Sequence, residues 1–223
     1  MTLQRGFRLF FVGLIVWGLG EARGLAQTPA AGTYVSDRQS ALWITGSSTV
    51  GPFNCIAGTI FGSATISIKP STLDHPDTTR ALDLSVTIPV RGFDCGKEAM
   101  NQDMYNAMKS DVHPEIRYAL VSSELTARPR TPSSWYMVKT SGTLSIAGVE
   151  QAIEMTVRIK QLPDGKFRVV GSKNLSMPDF GITPPTALWG MIKADAQLTV
   201  HFDLITVEAP NLGSDPERRK HSQ

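Results

Sequence analysis

Leu82-Asp83-Leu84-Ser85-Val86-Thr87-Ile88-Pro89-Val90 sets an apolar side chain at every second position. A period of two places Leu82, Leu84, Val86, Ile88 and Val90 on one face of an extended chain, with Asp83, Ser85 and Thr87 on the other. The stretch reads as a strand with one dry face. The same alternation recurs outward from it in Ile60 to Ile68, in Ile116, Tyr118 and Leu120, and in Leu144 and Ile146. It continues in Met155, Val157 and Ile159 against Thr156, Arg158 and Lys160, and in Leu198, Val200, Phe202 and Leu204. Leu162-Pro163-Asp164-Gly165-Lys166 separates two such runs with proline and an Asp-Gly pair, which predicts one hairpin over residues 150–176. About eight half-dry strands must bury their apolar faces against one another in a sandwich or by closing into a barrel. Periodicity alone does not choose between the two.

One stretch departs from the pattern. From Gly96 to Ser110, Met100, Met104 and Met108 fall four residues apart with Ala99 and Ala107 beside them, the spacing of an amphipathic helix. A second short helical turn is expected over Thr186 to Met191, after Pro184-Pro185. The whole chain of 223 residues, 41% hydrophobic and 19% charged, suits one globular domain, and Gly 19 with Pro 14 suits a turn-rich β protein. The organisation expected is a signal peptide over 1–26, a flexible leader over 27–40, a β domain over 41–208 and a disordered tail over 209–223.

The leader reading rests on Arg5 and Arg8 before an apolar run from Leu9 to Gly20, then Gly24 and Ala26 at signal-peptidase spacing. Roughly twelve apolar residues at about 1.5 Å each fall short of a hydrocarbon core about 30 Å thick, so cleavage after Ala26 is expected rather than a membrane span. Loss of Arg5, Arg8, Arg23 and Glu21 takes 22 basic and 20 acidic residues to 19 of each. No nucleic-acid footprint remains. The mature chain is expected to be secreted, into a bacterial periplasm, as a monomer or homodimer. In that oxidising compartment Cys55 and Cys95, without CxxC spacing or a nearby histidine cluster, are expected to form a disulfide.

Catalytic patterns are missing. His75, His113, His201 and His221 are scattered, with no HExxH or HxH spacing, so no metal site is expected. His113 precedes Pro114 and reads as the turn that ends the Met helix. Gly46 to Gly51 lacks the lysine of a phosphate loop. Asp179-Phe180-Gly181 is spelled like a kinase magnesium motif without the rest of a kinase, and reads as a strand-to-loop corner. Neither an enzyme nor a cofactor is expected.

Thr140-Ser141-Gly142-Thr143-Leu144-Ser145-Ile146-Ala147-Gly148-Val149, then Ile153 to Val157, Met177-Pro178-Asp179-Phe180-Gly181-Ile182 and a closing strand from Ile192 follow one another in order. This series resembles the YceI-like family of secreted lipocalin-like proteins. The stretch Met108 to Tyr118 resembles the family's passage from a short helix through a His-Pro into a strand. Cys55, Cys95, the Met-rich helix and the Pro/Ser-rich stretch Arg128 to Ser134 depart from the pattern.

The resemblance implies an all-β, antiparallel, eight-stranded lipocalin-like barrel with one short amphipathic helix, whose lumen holds a long polyisoprenoid chain or isoprenoid quinone. Alternation would then aim Leu84, Val86, Ile116, Tyr118, Leu144, Met155, Val157, Leu198 and Val200 inward. Met100, Met104 and Met108 would form an adaptable lid, with Phe180 also on the ligand. The expected function is to sequester or carry that lipid. The alternative is a ligand-free barrel acting as a protein-interaction or stress-response module through the Trp135-Tyr136 region.

Overall fold

The computed structural model describes residues 32–66, 82–127 and 135–209. Its strands are β1 (Gly32–Ser36), β2 (Ala41–Ser48), β3 (Gly51–Ala57), β4 (Phe61–Ile66), β5 (Leu82–Pro89) and β6 (Phe93–Asp94). After helix α1 (Glu98–Ala107) come β7 (Glu115–Ala127), β8 (Tyr136–Ile146), β9 (Val149–Gln161), β10 (Phe167–Ser176), β11 (Thr186–Ala187) and β12 (Ile192–Glu208).

Three of the barrel's staves are each broken into two short strands. β1 and β2 both run along β12, pairing Tyr34 with Glu208 and Ile44 with Val200. β4 and β3 follow one another on the next stave, and β5 and β6 on the one after, with a single 3-10 turn at Val90–Gly92 between them. The breaks line up across the wall. The Asp37 amide donates to the Ile205 carbonyl (2.7 Å), the Gly58 amide to the Gly92 carbonyl (2.8 Å) and the Ser36 hydroxyl to the Ile60 carbonyl (2.8 Å). Backbone groups left over by each interruption are thus satisfied by its neighbour.

Counted as staves, β1/β2, β3/β4, β5/β6, β7, β8, β9, β10 and β12 form an antiparallel meander whose last member pairs with its first. Closure removes the sheet edges and gives alternate residues an inside and an outside. The choice that periodicity left open is settled in favour of the barrel. Leu42, Ile44, Ile88, Ile116, Leu144, Ile153 and Leu175 occupy inward rows and are buried.

The wall begins at Gly32, ahead of the expected Ala41, because β1 pairs with both β4 and β12. The expected strand over Ile60 to Ile68 is β4, described as Phe61–Ile66. The helix is shorter than Gly96 to Ser110: Lys109 takes a left-handed φ of 53°, and the Ser110 amide folds back onto the Tyr105 carbonyl (2.9 Å). Over Thr186 to Met191 there is no helical turn. Thr186–Ala187 pairs with Ile192 and Lys193 instead, making a ribbon that turns through Leu188, Trp189 and Gly190, all at positive φ. The signal-peptide segment, the stretch 128–134 and the tail beyond Ala209 lie outside the described residues.

Cys55 of β3 and Cys95 after β6 are joined in a disulfide. Helix α1 packs over it. Met104 Sδ lies 3.9 Å from Cys95 Sγ, the Tyr105 hydroxyl donates to the Phe93 carbonyl (2.7 Å), and buried Asn101 accepts from the Cys95 amide (2.6 Å).

Candidate functional site

The barrel is unevenly filled. β7 is buried at Ile116 and exposed from Glu124 onward, while β8 runs the other way, exposed at Tyr136 and buried at Leu144 and Ile146. One end is therefore packed. Val90 and Phe93, at 1% and 2% exposure, join Met108, Ile146, Met177, Phe180 and Ile182 in a floor of covered side chains. The Met177–Phe180 3-10 turn ends at Gly181 in the left-handed conformation, which makes Asp179-Phe180-Gly181 the expected corner.

Towards the other end the inward rows are only half buried. Val86, Tyr118, Met155 and Phe202 face inward yet keep accessible surface. In a closed wall an inward side chain stays accessible only where it borders unfilled space. This half, hollow in the sense that its inward side chains are incompletely covered, lies above the packed floor.

Three inward glycines keep the lumen wide. A Cβ on Gly46 would sit 2.4 Å from the Phe53 ring, one on Gly142 2.5 Å from the Tyr118 ring, and one on Gly171 2.5 Å from the Phe202 ring. Phe53 and Phe202 are the direct cross-strand partners of Gly46 and Gly171. Each aromatic ring lies flat over a position without a side chain, lining the wall instead of crossing the interior. At the rim Tyr34 meets Phe167 edge to face, with centroids 5.4 Å apart.

The wall has one weakly paired seam. β9 and β10 pair only from Phe167↔Gln161 to Val170↔Arg158, although β10 continues along β12 to Ser176. Past that point side chains span the gap, with Lys173 donating to the Glu154 carbonyl and Gln151 to the Asp179 carbonyl, both at 2.8 Å. Two ion pairs brace the outer surface near the rim. Arg168 holds Asp203 in a forked pair, and its hydrogen bond keeps that carboxyl below its ordinary pKa of 3.8. Lys166 reaches Asp37 at 3.2 Å; the Gln39 amide and this ammonium both lower the Asp37 carboxyl.

The ligand residues expected from sequence differ in cover. Leu84, Val86, Tyr118, Met155, Leu198 and Val200 are half buried, all but Leu84 packed against the buried core, and Val157 is buried. Ile116, Leu144, Met108 and Phe180 are covered within that core, with Met104 half buried against it. Met100 is also half buried. An outer cleft of about 380 Å³ beside the register shift at Ala194/Leu198 is lined mostly by polar groups, Thr45, Ser47, Asn174, Gln197 and Thr199 among them. Among the described residues no helix is long and apolar enough to span a membrane, and no cluster of three or more His, Cys, Asp or Glu could hold a metal ion.

A family model for the YceI-like domain matches residues 35–204. The chain belongs to the YceI-like family. Its barrel is similar to that of BcnA from Burkholderia cenocepacia, at 15% identity over 77% of this chain and 99% of that one, with a TM-score of 0.59. It is also similar to a polyisoprenoid-binding domain from Saccharophagus degradans implicated in plant cell wall breakdown, at 14% identity, covering 81% and 100%, with a TM-score of 0.59. At such identities the likeness is one of fold. No curated protein is similar in sequence.

Several features of this YceI-like barrel carry no local signature. Gly46, Gly142 and Gly171 matter only through the rings opposite them, so cross-strand register was needed to find them. Trp135 is not bare, because Arg158 and Lys160 lie 5.2 and 4.9 Å from its ring. The fully presented aromatic is Trp189, 98% exposed on the turn before β12.

Proposed function

We propose that the chain is an exported, periplasmic, non-enzymatic barrel that sequesters or carries a long apolar lipid, a polyisoprenoid or isoprenoid quinone, in its hollow half. The observation that carries the reading is the half-buried state of Val86, Tyr118, Met155 and Phe202 on inward rows above a packed floor. Burial there would replace contact with water by contact with a chain, at about 0.8 kcal/mol for each methylene. The rings laid over glycine leave width for that chain. Family membership and the name of the Saccharophagus degradans domain support the ligand class.

Native mass spectrometry of protein isolated from its own compartment, followed by organic extraction, tests the reading. A bound isoprenoid is expected. A protein of bare mass that also takes up no added isoprenoid would end it. One observation favours a protein-interaction role instead: Trp189 stands 98% exposed, with Leu188 and Met191 beside it.

A further inference from the structure

The ribbon of β11 and β12 turns at the end of the barrel opposite the rim of Tyr34 and Phe167. There the Gly190 amide donates to the Ala187 carbonyl (3.1 Å), closing a turn whose central residues, Leu188 and Trp189, have φ of 50° and 55°. Positive φ at both positions is the mirror-image hairpin geometry that asparagine and glycine adopt at least cost. Here two large apolar side chains occupy it and stay mostly uncovered, Leu188 at 57% and Trp189 at 98% exposure. Folding gains little from that choice.

The tip is built as a unit. Thr49, between β2 and β3, donates its amide to the Lys193 carbonyl (3.0 Å) and its hydroxyl to the Met191 carbonyl (3.1 Å), which sets exposed Val50 and Met191 on the same tip. The Met191 amide donates to the Leu188 carbonyl (3.2 Å) and the Ala194 amide to the Pro185 carbonyl (3.0 Å). Such internal pairing is what an apolar medium demands of a backbone, since it offers no water in exchange. No charged residue lies between Asp179 and Lys193, nor between Arg38 and Lys69, in the sequence. Lys193 is exposed at the base of the tip, and Asp195 behind it is engaged by the Ser47 hydroxyl.

We propose that this tip inserts into the interfacial layer of a lipid bilayer, with Trp189 at head-group depth, Val50, Leu188 and Met191 against the upper acyl chains and Lys193 on the phosphates. An indole flanked by aliphatic side chains and a lysine suits that depth. A protein partner fits less well. The tip projects instead of forming a groove, and its four side chains fall short of the roughly 800 Å² per partner that a stable protein interface buries. Docking by this end leaves the hollow half pointing away from the bilayer, so the inference does not depend on the lipid-binding reading.

The test sediments the chain isolated from its own compartment, and its Trp189→Ala variant, with vesicles of phosphatidylcholine and phosphatidylglycerol whose acyl chains carry bromine. Wild type is expected to bind and to lose tryptophan emission to the bromine. Trp189→Ala should bind at least about tenfold more weakly, leaving Trp43 and Trp135 unquenched. Its melting temperature should stay within about two degrees of wild type, because almost none of the indole is covered. Absence of wild-type binding, or equal binding and quenching in both proteins, would overturn the proposal. So would a dimer in analytical ultracentrifugation that requires Trp189 and forms without any vesicle binding, which would assign the tip to a second copy of the chain. Each of these outcomes leaves the lipid-binding reading standing, since organic extraction measures that separately.

Discussion

The two halves of this barrel are built from the same strands yet differ in what lies between them. In the packed half Val90, Phe93, Met108, Ile146 and Phe180 cover one another, and the disulfide and helix α1 lock the assembly from outside. In the hollow half the inward rows mix Thr140, Lys173 and Thr206 with Val86, Met155 and Phe202, glycines face aromatic rings, and no side chain covers Val86 or Phe202 completely. Alternation assigns a residue to the inside in both. What decides core or lumen is the summed volume of the inward residues across all staves. The packed half supplies stability, which lets the other half forgo it.

Phe93→Ala should give the largest effect, a loss of about 3–5 kcal/mol in denaturant unfolding, because its cavity opens inside close packing. Phe202→Ala should cost well under that, since its ring already borders space. Equal costs would erase the distinction between the halves. Next, replacing Cys55 and Cys95 together by serine should remove up to about 4 kcal/mol, the loop-closure value for a separation of 40 residues. A loss below about 1 kcal/mol would show that helix α1 and Asn101 hold the packed half unaided.

Smaller effects belong to the wall around the lumen. Lys173→Met removes a bridge across the seam, so hydrogen exchange over residues 149–157 should quicken a few-fold while residues 41–57 keep their protection. Uniform quickening would mean that the seam is no weaker than the rest. The smallest effect concerns pH. The folded-state pKa of Asp203 lies below its ordinary value, because Arg168 hydrogen-bonds the charged form. Its contribution is therefore present above about pH 4 and lost as pH falls through the lowered value. Asp203→Asn should flatten the acid limb of a melting curve; an identical limb would remove the pair from the account.

Much of the wall was legible because a half-dry strand writes its orientation into every second residue. Leu82 to Val90 is the clearest instance, and only Val90 at its end turns out of the strand, into the 3-10 turn. The breaks at Asp37 and Gly58 were not legible. They are set by where neighbouring staves can satisfy each other's backbone, and β1 escaped notice for the same reason. Of the candidate site, Val86, Tyr118 and Met155 could be placed on an inward face. Their separation from Ile116 and Leu144 could not, since strand pattern says which residues share a side and nothing about whether that side is full.

The central claim is that the hollow half is a binding space and not a loosely drawn core, and Val86→Trp tests it most directly. Val86 faces inward beside Gly62, half buried, where an indole has room only if the lumen is real. Wild type and variant, purified identically, would be compared for bound lipid by native mass spectrometry and for melting temperature. The account predicts that the variant loses its lipid and melts within a few degrees of wild type stripped of ligand. Retained lipid together with a drop matching the roughly 1–3 kcal/mol of an overpacked core would contradict it.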